Sequence, residues 1–172
     1  ITHFHPEHDL GAQAFPATTR LIRSTEEIRD IDEFGLELAH IFEKRSPVHA
    51  ELLKGANFRK ADITFVRDYD LDLGGVRAHI MAMGPNHTRG DTAIWIEPDR
   101  ILFAGDIAMK AQPAFASPYS NLAHWLASLD RLEQFKPAVI VPSYGPTGDG
   151  TAFIDGYRRY LFEVRDRTAA EK

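Results

Sequence analysis

Apolar residues recur at helical spacing through Ile28, Ile31, Leu38, Ile41 and Phe42. They follow a Ser24-x-x-Glu27 box, whose hydroxyl and carboxylate suit the free amides of a helix start. The pattern predicts a helix from residue 24 to Ser46-Pro47. A stripe of Leu122, Leu126, Leu129 and Leu132 predicts a second helix over residues 120–135, stopped by Pro137. A third is expected over residues 151–165. Between them, runs rich in β-branched and apolar residues predict strands at 19–22, 63–66, 76–83, 92–96, 101–104 and 138–141. This mixture is α/β or α+β. The breaks, such as Gly84-Pro85-Asn86 and Gly145-Pro146-Thr147-Gly148, are too short to be linkers, and no repeat is present. One domain over residues 1–172 is expected.

Several strands run straight into polar residues: 80–83 leads to Asn86-His87, 101–104 to Gly105-Asp106, and 139–141 to Pro142-Ser143-Tyr144. Buried strands that deliver side chains at one end are how α/β sheets build sites, so these termini are expected to converge.

Composition narrows the chemistry. The 172 residues are 44% hydrophobic, enough for a core, and carry a net charge of −5 with no basic run, which argues against nucleic-acid binding. A small-molecule or protein partner suits the acidic balance better. No apolar run approaches the ~20 residues that span a bilayer, so a soluble chain without a membrane partner is expected. With no cysteine there is no thiolate ligand or nucleophile, and any metal must be held by His, Asp, Glu or Tyr. Cysteine absence suits a periplasmic and a cytoplasmic location equally.

The opening Ile1-Thr2-His3-Phe4-His5-Pro6-Glu7-His8-Asp9 places three of eight histidines and two carboxylates within seven residues. In an extended segment His3 and His5 point to one side, where they can grip one cation. Pro6 then breaks the strand and can start a helix carrying Glu7 and His8. A catalytic zinc site takes three protein ligands and leaves a position open. His87, in a glycine-flanked loop, is the best third imidazole, and Asp106 offers an oxygen that can bridge to a second ion beside His8. Each piece alone also fits a plain loop, cap or turn role. His40, His49, His79 and His124 have no partner motif and read as structural or solvent-facing.

Taken in order, Thr2-His3-Phe4-His5-Pro6-Glu7-His8, Asn86-His87-Thr88, Phe103-Ala104-Gly105-Asp106 and Pro142-Ser143-Tyr144-Gly145 resemble the motifs of the metallo-β-lactamase superfamily. The resemblance implies an α+β fold, a four-layered αβ/βα sandwich with metals in a cleft at one edge. It implies a metallo-hydrolase in which a metal-bound hydroxide attacks the carbonyl of a β-lactam, lactone, ester or thioester. His3, His5 and His87 would hold the first metal, and His8 and Asp106 the second. Glu7 stands where the family has Asp, and Tyr144 where it has a last His. Glu7 would ligate only if its turn shifts, and a neutral phenol is a poor ligand, so the second zinc is expected to bind more weakly.

In catalysis Glu7 or Asp106 would orient the nucleophile or take its proton. Tyr144 would either donate to an oxyanion or fill the volume of a lost ligand, and Asp91 would buttress His87. Two rival readings stay open: a degenerate binding protein of the same fold, and a mononuclear iron enzyme on the same ligands. The family's first motif follows a β-rich segment of which only Ile1 is present here. A missing N-terminal segment of the same protein, or a homo-oligomer partner, is therefore expected to complete the sandwich. The segment Tyr157-Arg158-Arg159-Tyr160 is a candidate contact for an anionic substrate.

Overall fold

A computed structural model describes residues 1–171. The chain opens with an irregular segment and a short helix, α1 (Pro6–Asp9), continued by a 3-10 turn over Leu10–Ala14. Strand β1 (Ile22–Ser24) then feeds a long helical stretch: α2 (Thr25–Asp30), a π turn at Ile31–Gly35 and α3 (Leu36–Glu43). The Ser24 hydroxyl accepts from the Glu27 amide at 3.1 Å, so the serine cap sets the start, as the box predicts. A further helix, α4 (Pro47–Leu52), is capped by Ser46 and begins on a proline, the residue expected to end the long stretch.

Strand β2 (Ile63–Phe65) pairs in parallel with β1. A six-stranded sheet follows in sequence order: β3 (Asp68–Asp72), β4 (Arg77–Ala82), β5 (Thr92–Glu97), β6 (Ile101–Gly105), β7 (Val139–Pro142) and β8 (Gly148–Asp149). Neighbours are antiparallel except β6 and β7, whose parallel pairing requires the crossover helix α5 (Leu122–Gln134). The last helix, α6 (Gly150–Ala170), runs past the expected end at residue 165. β3 and β8 escaped the sequence reading because β3 is an acidic edge strand without a buried face and β8 has two residues.

Met81, Ala93, Trp95, Leu102, Ala104 and Ile140 form the sheet's inner face, packed on Trp125, Leu129 and Leu132 of α5 and Ile154, Tyr157 and Leu161 of α6. Leu122 and Leu126 are only partly buried, because the larger Trp125 takes the central place of the α5 stripe. The opposite face carries half-buried Ile94, Ile96, Ile101 and Val141 and exposed Phe103 and Val139. Both faces of the central strands are apolar, as in a sheet built to be covered on two sides. Among the described residues no helix is long and apolar enough to cross a membrane.

A buried ion network ties the first helices together. Arg23 of β1 donates to both carboxylate oxygens of Asp9, at the end of α1, and to Glu27 Oε1 of α2 at 2.5 Å. All three side chains are essentially inaccessible. One cation faces two carboxylates, so burial and the Asp9 charge outweigh Arg23 and push the Glu27 carboxyl up to about 7.

Replacing Arg23 with Met strands two buried carboxylates and should cost about 3–5 kcal/mol in chemical denaturation; a loss below about 1 kcal/mol would show the network to be incidental. Because the folded Glu27 pKa lies above its reference 4.5, its contribution is complete below pH 4.5 and is lost as pH rises through about 7. Wild type should therefore lose stability relative to Glu27→Gln across that window, and a constant difference between the two would contradict this.

Candidate metal centre

The site forms where the opening segment lies across the ends of the sheet strands. The Thr92 amide, at the start of β5, donates to the Thr2 carbonyl at 2.7 Å. Gly105, at the end of β6, has φ +54°, and a Cβ there would stand 2.8 Å from Thr2 Cβ. Glycine therefore permits both the turn and the close approach. The β6–β7 register shifts between Phe103 and Gly105, which re-aims the chain as it delivers Asp106. His87 comes from the loop between β4 and β5, and Tyr144 from the loop after β7.

His3, His5 and His87 converge, with ring centroids 4.6–4.9 Å apart. His87 Nε2 lies 3.1 Å from His5 Nδ1 and 3.3 Å from Asp106 Oδ2. Two ligand atoms at the usual distance from a tetrahedral zinc are ~3.3 Å apart, so this spacing fits a shared ion. His87 Nδ1 donates to the Phe115 carbonyl at 2.8 Å, which leaves Nε2 as the lone-pair nitrogen. His3 Nε2 is buried and has no hydrogen-bond partner in the protein, a costly arrangement that a metal would relieve. Burial first, and the neighbouring imidazoles second, push His3 well below the usual histidine value and His5 down to about 3. The rings are thus held neutral, the form that binds metal. The donor set fits an ion such as zinc.

A second group comprises His3, His8 and Asp106. Asp106 spans both groups: its Oδ2 faces His3 Nε2 at 3.8 Å, and its Oδ1 faces His8 Nε2 at 3.7 Å and accepts from the Ser143 hydroxyl. Glu7 joins neither group. It accepts a hydrogen bond from the Tyr144 hydroxyl at 3.1 Å, and its Oε1 is 4.0 Å from His8 Nε2. The phenol oxygen also lies 3.1 Å from His8 Nε2, engaging the atom that a second ion would need. Burial, then the Glu7 and Asp106 charges, raises the Tyr144 pKa far above that of a free phenol, so its proton stays on.

Asp91 supports the loop rather than the ring of His87. It accepts from the His87 amide at 2.7 Å and from the Thr88 amide and hydroxyl, while the Ser120 hydroxyl donates to the His87 carbonyl. Of the other histidines, His124 Nε2 bonds the Met83 carbonyl, His79 Nδ1 meets Asp70, and His49 Nδ1 meets the Ser46 hydroxyl.

Of the candidate anion contact on α6, Arg159 is exposed, while its neighbours are engaged within the protein. Arg158 is engaged by Asp130, Glu133 and Asp155, Tyr157 is buried, and the Tyr160 hydroxyl accepts from the Ala114 amide. These side chains clamp α6 in place. The carbonyl of Phe115 was invisible to sequence reasoning because any residue type can supply it.

His5, His87, Asp106 and Tyr144 line a cleft of about 320 Å³. A neighbouring cavity of about 350 Å³ shares His5, Leu38 and Phe115 with it. A larger cavity of about 650 Å³ lies between residues 109–113 and α6 and contains none of the converging ligands.

Residues 1–144 match the family model described as the metallo-beta-lactamase superfamily. Among solved structures, a metallo-beta-lactamase from Pontibacter korlensis superposes with a TM-score of 0.70 at 22% identity, over 93% of this chain and 66% of its own. A metallo-beta-lactamase family protein from Thermus thermophilus gives 0.69 at 19% identity, over 92% and 58%. An archaeal superfamily protein from Sulfolobus tokodaii gives 0.64 at 21% identity, over 92% and 64%. The chain thus spans 58–66% of the length of these three structures. At these identities the likeness concerns the fold. No curated protein matches the sequence.

Changing His87 or His5 to Ala should abolish tight zinc binding in elemental analysis, and full metal content in either variant would refute the triad. Tyr144→His should raise bound zinc from about one to about two ions per chain, since imidazole ligates while neutral. An unchanged stoichiometry would show that Tyr144 is not what weakens the second group.

Proposed function

Since the chain belongs to the metallo-β-lactamase superfamily, we propose that it is a zinc-dependent hydrolase of a β-lactam, lactone, ester or thioester carbonyl. The observation that carries this reading is the meeting of His3, His5 and His87 beside Asp106, at a cleft that His5, His87 and Asp106 line. Zinc bound there supplies Lewis acidity and a nucleophile available near neutral pH.

The chain's own groups divide the remaining work. Asp106 Oδ2, within 3.3 Å of His87 Nε2, orients the attacking water and takes its proton. Tyr144 keeps its proton and can redirect it from Glu7 to the oxygen on which negative charge develops. Glu7 holds the phenol in place until then. Leu38, Phe42 and Phe115 shield one side of the cleft from water, which strengthens each of these charge interactions. Tyr144→Phe should lower kcat by ~10²-fold with little change in first-site zinc content.

The direct test is turnover by the zinc-loaded protein of a small panel: a chromogenic cephalosporin, a γ-lactone, an aryl ester and a thioester. Hydrolysis of at least one member, abolished in His87→Ala, is expected. Stoichiometric zinc without turnover of any would favour a binding protein of the same fold.

A further inference from the structure

From the cleft itself we infer that Arg45 anchors an acidic group, specifically a carboxylate, on the molecule that occupies the site. This deepens the hydrolase reading by adding a substrate class, and rests on it only for where the reacting carbonyl lies. Arg45 follows α3 and lines the same cleft as His5, His87, Asp106 and Tyr144. Its amide donates to the Phe42 carbonyl at 3.0 Å, which fixes the backbone turn. Its guanidinium lies over the ring of buried Phe42, with Cζ 3.4 Å from the centroid. Stacking of this kind occupies the planar face and leaves the N–H edge free for a two-pronged bond to a carboxylate.

The charge is also unspent. Among the described residues no carboxylate comes within 4.0 Å of Arg45. By contrast, Arg23, Arg89 and Arg158 each meet two or more acids. Arg20, Arg67, Arg77 and Arg159 also lack an acid within that distance, but among these arginines Arg45 is the one that lines the cleft. Leu38, Phe115 and Pro113 supply apolar walls to the cleft that Arg45 shares with His5 and His87. The matching ligand has an apolar body, a carbonyl at the histidine end and a carboxylate at the other.

The test reads binding by calorimetry, using 3-phenylpropionate and its neutral analogue 3-phenylpropionamide on the zinc-loaded protein. Arg45 is solvent-exposed, so the charge-assisted bond should favour the carboxylate by about tenfold rather than more. Arg45→Gln should remove that preference while leaving amide affinity within about twofold, and Arg45→Lys should keep part of it. Arg167→Gln, at an exposed site on α6, should change nothing. Equal binding of both probes, no saturable binding of the carboxylate, or a preference that survives Arg45→Gln would each overturn the inference. The last result would assign the preference to the ion. Because no turnover is read, a protein that hydrolyses nothing could still show the Arg45-dependent preference. Conversely, hydrolysis without it would sink the anchor alone.

Discussion

One buried guanidinium sets the relative position of the segments that build the site. Asp9, which Arg23 grips, directly follows His8. Glu27, gripped by the same side chain, packs so closely on the next loop that a Cβ on Gly90 would stand 2.3 Å from its Cα. Gly90 lies three residues after His87, and its amide donates to Asp30 of α2 at 3.0 Å. Arg89 extends the same clasp to Asp30 and Glu33. The His8 turn and the His87 loop are therefore registered to one another through α2. Burying one cation with two carboxylates is a poor way to gain stability, but it fixes geometry, because moving either segment strands a charge in the interior.

That registration makes the imidazole cluster possible. Imidazole rings packed at 4.3–4.9 Å, one with an orphaned buried nitrogen, would be unfavourable in a core selected for packing alone. The hydrogen bonds around the cluster point the same way: the Phe115 carbonyl selects the His87 tautomer, Asp91 holds the loop's amides, and Ser143 steadies Asp106. Rigid support around a set of lone pairs favours metal binding over adaptable packing. The pairing of Tyr144 with His8 and Glu7 makes the two halves of the site unequal, because His8 and Glu7 are already engaged within the protein.

Much of this was legible in residue order. The serine cap at 24, the α5 stripe and the inner strands β4 to β7 follow from periodicity, and the strand ends at 83, 104 and 141 converge as expected. His3, His5, His87 and Asp106 could be paired only through motif order, since a sequence does not show which loop ends meet. What stayed hidden depends on tertiary geometry. Motif order put Glu7 at a ligand position without showing its partner, and in the structure its carboxylate accepts from the Tyr144 hydroxyl. Arg158 looked free for a substrate, but α5 supplies its acids across the helix pair. Arg45 carried no local signal, because its meaning comes from Phe42 beneath it and the cleft beside it.

The superfamily fold hosts many reactions, so architecture alone does not choose a substrate. The proposed chemistry requires three imidazoles to share one ion. Anomalous diffraction at the zinc edge, from crystals of the zinc-loaded protein, locates that ion directly. A peak ~2.1 Å from His3 Nε2, His5 Nδ1 and His87 Nε2 together is expected. A peak found only at surface carboxylates, or none near His87, would contradict it.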